Sequence, residues 1–193
     1  MRSLFAQPDL FGDSPLPPGL VYEPGFLSPG EEAALLAWIA ALPFKQARYK
    51  EYTARRRTVS YGTSYDFDNN RLLPAQPIPE MLEPLRARAA AWAGLAPDDF
   101  HGALIAEYQP GTPLGWHRDV PDHEIVVGLS LLGWARMRLR RYPPVNPKKA
   151  DVLNLELEPR SIYLLRDETR WGWQHSIAPT ETLRYSITFR TPR

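Results

Sequence analysis

The sequence predicts an α+β protein with helices in its N-terminal half. From about residue 101 onward, seven or so short strands close as a sandwich or barrel. Two patterns carry this reading: a helix start at Ser28-Pro29-Gly30-Glu31, and strand-length apolar runs separated by turn residues from Gly102 to the end. Composition agrees, since 44% hydrophobic and 23% charged residues over 193 positions exclude a mostly disordered chain.

Residues 1–20 are rich in proline and turn formers and read as an extended arm. Ser28 is placed to cap a helix, with Pro29 at its first position and Glu31 completing a capping box. Glu31 and Glu32 complement the positive end of the helix dipole, AALLAWIAAL supplies the apolar face, and Pro43 ends it. Phe44 to Asp68 mixes Tyr, Thr, Val and Arg without helical period and reads as a hairpin or irregular strands. A second helix is expected over Pro79 to Ala93, stopped at Gly94. GALIAEY, the Pro110-Gly111 turn and LGWHRD then read as strand, turn, strand. EIVVGLSLLG is a buried strand and ARMRLRR alternates; NLELE, SIYLL, WGWQHSI and TLRYSITFR follow.

No apolar run approaches the ~18 residues of a membrane span. The N-terminus lacks the apolar stretch of a signal peptide. The chain has no cysteine, which excludes disulfides, thiol catalysis and Cys-based zinc sites and fits a cytoplasmic location. A net charge of +1 conceals segregation. Lys45 to Gly62 carries six cations against one acid, Arg136 to Lys149 carries six against none, and the remainder is −10. Two basic segments on an acidic body suit a phosphate backbone, although solvated loops and charge-protected strand edges have the same composition.

The four histidines are His101, His117, His123 and His175. His117 and Asp119 stand at i and i+2, on one face of an extended segment, and His175 lies 56 residues further on. Two histidines and a carboxylate with open positions are the arrangement of non-haem Fe(II) oxygenases. Alone, a His-x-Asp equally suits a surface ion pair or a capped turn. The last strand adds weight. Alternation puts Arg184, Ser186, Thr188 and Arg190 on one face, opposite Tyr185, Ile187 and Phe189. Turned inward, two guanidiniums need an anion, and a dicarboxylate would satisfy them; turned outward, they are the polar face of an edge strand.

His117-x-Asp119, His175, Tyr108 before its Pro-Gly turn, and the closing Arg184…Arg190 motif together resemble the AlkB family of Fe(II)- and 2-oxoglutarate-dependent dioxygenases. The resemblance runs from about Leu20 to the C-terminus. It implies a double-stranded β-helix (jelly-roll) core over 101–193, joined in one unit to N-terminal helices and a nucleotide-recognition lid over 21–100. His117, Asp119 and His175 would ligate Fe(II). Tyr108, Arg184 and Arg190 would bind 2-oxoglutarate, with Trp173, Ser186 and Thr188 around it. The chain departs from the family at Ala106 and Ser186, where asparagines are usual, and at Pro121, where the defining repair enzyme has an acid.

Arg55-Arg56-Arg57 through Tyr61 and Gly62 resembles the lid segment that grips a flipped nucleotide. Arg57 would reach a phosphate and Tyr61 the base; the alternative for Tyr61 is a core aromatic. Arg118 joins Arg55, Arg56, Arg57 and Tyr61 as a substrate contact. Arg136, Arg138 and Arg140 share a strand face that either lines a phosphate groove or is inert. The reading implied is oxidative demethylation of N-alkylated bases, of the 1-methyladenine and 3-methylcytosine type, in DNA or RNA. It uses O2 and 2-oxoglutarate and releases succinate, CO2 and formaldehyde. The alternatives are a hydroxylase or demethylase of protein or tRNA, and a non-catalytic nucleic-acid-binding module. A monomer is the expected state.

Overall fold

The computed structural model describes residues 16–49 and 52–193. In chain order its strands are β1 (Leu20–Glu23), β2 (Lys45–Tyr49), β3 (Tyr52–Tyr61), β4 (Thr63–Asp66), β5 (Arg71–Pro74), β6 (Gly102–Tyr108) and β7 (Leu114–His117). They continue with β8 (His123–Leu131), β9 (Ala135–Arg141), β10 (Leu153–Leu157), β11 (Ser161–Leu165), β12 (Trp173–Ile177) and β13 (Arg184–Pro192). The helices are α1 (Pro29–Ile39), α2 (Glu83–Ala93) and α3 (Asp167–Gly172). Of the arm expected over 1–20, residues 1–15 lie outside the described residues, and Leu20 already belongs to β1.

The helix starts and stops follow local chemistry. Ser28 Oγ accepts from the Glu31 amide at 3.2 Å while the Glu31 carboxylate accepts from the Ser28 amide at 2.8 Å. α2 ends on Gly94 in the left-handed region, φ 73°. It starts later than expected, at Glu83, behind a 3-10 turn over Glu80–Leu82. A second difference lies in WGWQHSI: Trp171 and Gly172 close α3, and the strand begins only at Trp173. The Thr169 side chain donates to the Pro18 carbonyl at 2.7 Å, fastening that short helix beside β1.

The strands form two antiparallel sheets and a hairpin. The larger sheet runs β1-β11-β8-β13-β6-β3-β2, the smaller β10-β9-β12-β7, and β4-β5 pair alone. This is the jelly-roll architecture. Alternation gives the larger sheet two different faces. Ile105, Leu129, Ile187 and Phe189 face one way and join Leu35 and Ile39 of α1 and Leu85 and Ala89 of α2 in one apolar core. The opposite faces of both sheets share a second cluster that includes Val126, Met137, Leu139, Leu165 and Ile177. The site occupies the polar part of that inter-sheet space. Gly128 makes room there: a Cβ would lie 2.2 Å from the ring of Tyr163, its cross-strand partner.

Candidate active site

β7 and β12 are neighbours in the smaller sheet, and their pairing sets His175 directly opposite His117. The two imidazole centroids are 4.3 Å apart. β7 ends at His117, so Asp119 enters from the following loop, with its Oδ2 3.5 Å from His175 Nε2. One donor atom from each of the three residues lies within 4.8 Å of the others. Nδ1 of His117 is 2.8 Å from the Gly115 carbonyl; a proton donated there leaves Nε2 free as a ligand.

Protonation states suit a cation. Burial pushes His175 down to about 3, and burial also lowers His117, so both rings are neutral at neutral pH. Burial alone would raise the Asp119 carboxyl. The Arg190 guanidinium outweighs it, donating to Oδ1 at 3.2 Å, and holds the group well below the usual carboxylate range. Two neutral imidazoles and one carboxylate are the deprotonated donors a divalent metal requires.

The loop behind Asp119 is anchored from α3. Arg170 is 3% exposed and donates to the carbonyls of Val120 at 2.7 Å and His123 at 2.6 Å, with its guanidinium 4.3 Å over Trp171. Sequence reasoning gave Arg170 no role. Its signal was only a charged residue in an otherwise aromatic segment.

Beside the histidines lies a cavity into which β13 turns Arg184, Ser186, Thr188 and Arg190, the inward orientation of the two read from sequence. Tyr108 of β6 stands across from Arg184, whose guanidinium is 4.9 Å over its ring. Arg184 is 1% exposed and donates from Nε to Ser130 Oγ at 2.9 Å. Arg56 joins them from β3. Burial would raise the Tyr108 hydroxyl, but Arg56 and Arg184 overcome it and lower it below its ordinary value. Among the described residues, five buried side-chain polar atoms have no hydrogen-bond partner, and three of them line this cavity: Arg56 Nε, Arg184 Nη1 and Arg190 Nε. Unpartnered buried guanidinium nitrogens of three arginines, on β3 and β13, match the carboxylates of a small diacid.

The residues assigned to the lid fall on both faces of one strand. Arg55 to Tyr61 is part of β3, which pairs with β6 inside the larger sheet. Arg56 therefore faces the cavity, while Arg57 and Tyr61, one residue out of phase with it, face the helices. Arg57 is held by Glu107 at 2.7 Å, and Tyr61 is 6% exposed, its ring 6.4 Å from that of Trp38. Arg55 shares their phase and is exposed. Trp173 shares the inward phase of His175 but packs in the inter-sheet apolar cluster, outside the cavity lining. Arg118 is exposed, with its guanidinium 3.8 Å over the Tyr142 ring. His123 is buried and His101 exposed.

Comparison with known proteins agrees with this geometry. The 2OG-Fe(II) oxygenase superfamily model matches residues 19–190. The chain is 26% identical to the tRNA (carboxymethyluridine(34)-5-O)-methyltransferase alkbh8 of Xenopus tropicalis, over 85% of this chain and 26% of that protein. It is 28% identical to the Alkylated DNA repair protein ALKBH8 homolog of Arabidopsis thaliana, over 83% of this chain and 51% of that one. The chain thus spans between a quarter and half the length of these curated relatives. The solved structure of OsALKBH1 superposes with a TM-score of 0.73 at 16% identity, covering 92% of this chain and 99% of that one, which shows the fold. No helix among the described residues is long and apolar enough to cross a membrane.

Proposed function

This chain belongs to the 2OG-Fe(II) oxygenase superfamily and to the AlkB family within it, and from that premise we propose that it oxidatively demethylates N-alkylated bases in nucleic acid. As a dioxygenase of this family it uses Fe(II) and 2-oxoglutarate. With O2, these supply the oxidising power that hydroxylates an N-methyl carbon, which then leaves as formaldehyde beside succinate and CO2.

The observation that carries the reading is the pairing of the donor cluster with unpartnered buried cations. His117, Asp119 and His175 would hold the iron; Arg190 keeps Asp119 ionised and oriented. Arg184, Arg56 and Tyr108 take a carboxylate of 2-oxoglutarate, and Ser130 fixes the Arg184 side chain in advance. Ser186 and Thr188 line the same cavity and offer hydroxyls to it. Where the family usually places an asparagine, Ala106 offers no amide. Arg56, which lines the cavity with Tyr108, supplies a donor to this end of it instead. With iron bound, the metal centre would supply the oxidising chemistry, so no side chain here needs to act as a general base.

Nucleic acid as the substrate class is supported by the two basic segments on an acidic chain and by the names of the relatives, which concern tRNA and alkylated DNA. A base alkylated on its pairing edge is cheaper to extrude, which favours damaged over intact nucleotides. The test is release of succinate and formaldehyde by the Fe(II)-loaded protein with 2-oxoglutarate. Matched single- and double-stranded DNA and RNA oligonucleotides carry 1-methyladenine or 3-methylcytosine. The two products appear in equal amounts if the proposal holds. Succinate without formaldehyde would move the substrate elsewhere, and neither product from iron-loaded protein would refute the enzyme reading.

A further inference from the structure

The back of the smaller sheet carries a second ordered set of cations. β9 turns Met137 and Leu139 inward and Arg136, Arg138 and Arg140 outward. These arginines are not equivalent. Arg136 is ion-paired with Glu156 of β10, and Arg141, at the strand end, with Glu168 at 3.0 Å. Arg138 and Arg140 instead donate from Nε to neutral oxygens of β12, Ser176 Oγ at 3.0 Å and Gln174 Oε1 at 2.9 Å. Among the described residues no carboxylate pairs with either. Both guanidiniums also stand over one indole, that of Trp116, at 5.2 Å and 4.3 Å from its centroid.

Each of these two charges is therefore fixed by one hydrogen bond and one aromatic face and remains electrically uncompensated. Side chains ordered before an anion arrives lose little freedom when they bind it. Being two residues apart on a strand, the pair stands about 7 Å apart, the repeat of a chain of anions rather than one small ion. The set also leads to the metal cluster. Trp116, on the edge strand β7, and Arg118, the residue after it, flank His117, and Arg118 stacks on Tyr142, the residue after β9.

We propose that this strip binds the sugar-phosphate backbone of a single-stranded nucleic acid beside the reacting nucleotide. Arg138 and Arg140 each take one phosphate, and Arg118 guides the chain around the β7 edge toward the pocket. A duplex, with a persistence length of about 150 base pairs, is too stiff to turn from the front of this sheet to its back; a single strand is not. The inference rests on the nucleic-acid reading given above and names where on the protein that substrate lies.

The test measures binding of a fluorescently labelled, unmodified 12-nucleotide single strand by anisotropy between 50 and 400 mM salt, comparing wild type with R138Q/R140Q. Removing two phosphate contacts lowers the slope of log K against log salt by about 1.4, and affinity at 0.1 M by roughly 25-fold relative to a 1 M reference. R138K/R140K retains charge and should recover most of the slope, which separates charge from folding. 2-Oxoglutarate binding is read alongside and should be equal in all three proteins. An unchanged slope in R138Q/R140Q overturns the strip, and if wild type still demethylates alkylated trinucleotides, the proposed function survives that failure. Wild type that binds no strand at 50 mM overturns both. Displacement of the strand by polyglutamate at matched charge overturns the strip in favour of an acidic protein partner.

Discussion

Replacing Arg184 by methionine should have opposite consequences for the free protein and for its ligand complex. In the free protein Arg184 is a 1% exposed cation with Nη1 unpartnered. Exchanging it for an apolar chain of similar length removes a burial penalty of several kcal/mol, against ~1–3 kcal/mol for leaving Ser130 Oγ without its donor. Apo stability should therefore hold or rise. The ligand complex loses charge-assisted hydrogen bonds worth about 2.7 kcal/mol, a hundredfold in Kd. At 2-oxoglutarate equal to 100 times the wild-type Kd, ligand stabilisation of about 2.7 kcal/mol falls to about 0.4 kcal/mol. For a domain of this size that is a melting shift of roughly 5–10 °C reduced to about 1 °C. The assay is thermal unfolding with Mn(II) in the metal site, with and without 2-oxoglutarate. Loss of more than about 2 kcal/mol in the apo variant, or an undiminished ligand shift, would refute the stored-charge reasoning.

Other perturbations follow the same logic. His175→Ala should weaken metal binding at least tenfold, measured by titration with Fe(II) under anaerobic conditions, and abolish succinate release. Arg56→Met should raise the 2-oxoglutarate requirement about tenfold while Arg57→Met leaves it unchanged, a contrast read directly from initial rates. Gly128→Ala should destabilise the fold by about 1–3 kcal/mol in urea titration, because the added carbon would overlap the Tyr163 ring. His123 is buried, and its pKa is pushed down to about 4 by burial, with Arg190 adding to it. Unfolded chains therefore take up that proton first, near pH 6.5, so stability is intact above this value and declines as the pH falls toward 4. Urea titrations at pH 7 and pH 5 should show about 2 kcal/mol less of this decline in His123→Gln than in wild type.

What the sequence made legible was whatever local pattern decides. The Ser28 capping box, the Gly94 stop and the two faces of β13 needed only neighbouring residues. The two histidines and Asp119 were legible as types, but the cross-strand meeting of His117 and His175 depended on a register set by the whole smaller sheet. β3 was ambiguous because three consecutive arginines satisfy either phase of a strand. Its pairing with β6, some fifty residues away, selects Arg56 for the cavity and sends Tyr61 to the helices. α3 was missed because six residues are too few to show a helical period, and with it went Arg170's hold on the loop that carries Asp119.

β3 also constrains how this chain can change by descent. Its even-numbered cation serves the cavity, while on its odd-numbered face Arg57 ties β3 to Glu107 of β6 and Tyr61 packs against the Trp38 ring of α1. A library with every substitution along Arg55 to Tyr61 should therefore sort by parity: variants at Arg57, Val59 and Tyr61 lose cellular abundance, whereas those at Arg56 keep abundance and lose turnover. Drift on one side of the strand is then filtered by folding and on the other by chemistry, so the two properties can be tuned separately within a single seven-residue stretch.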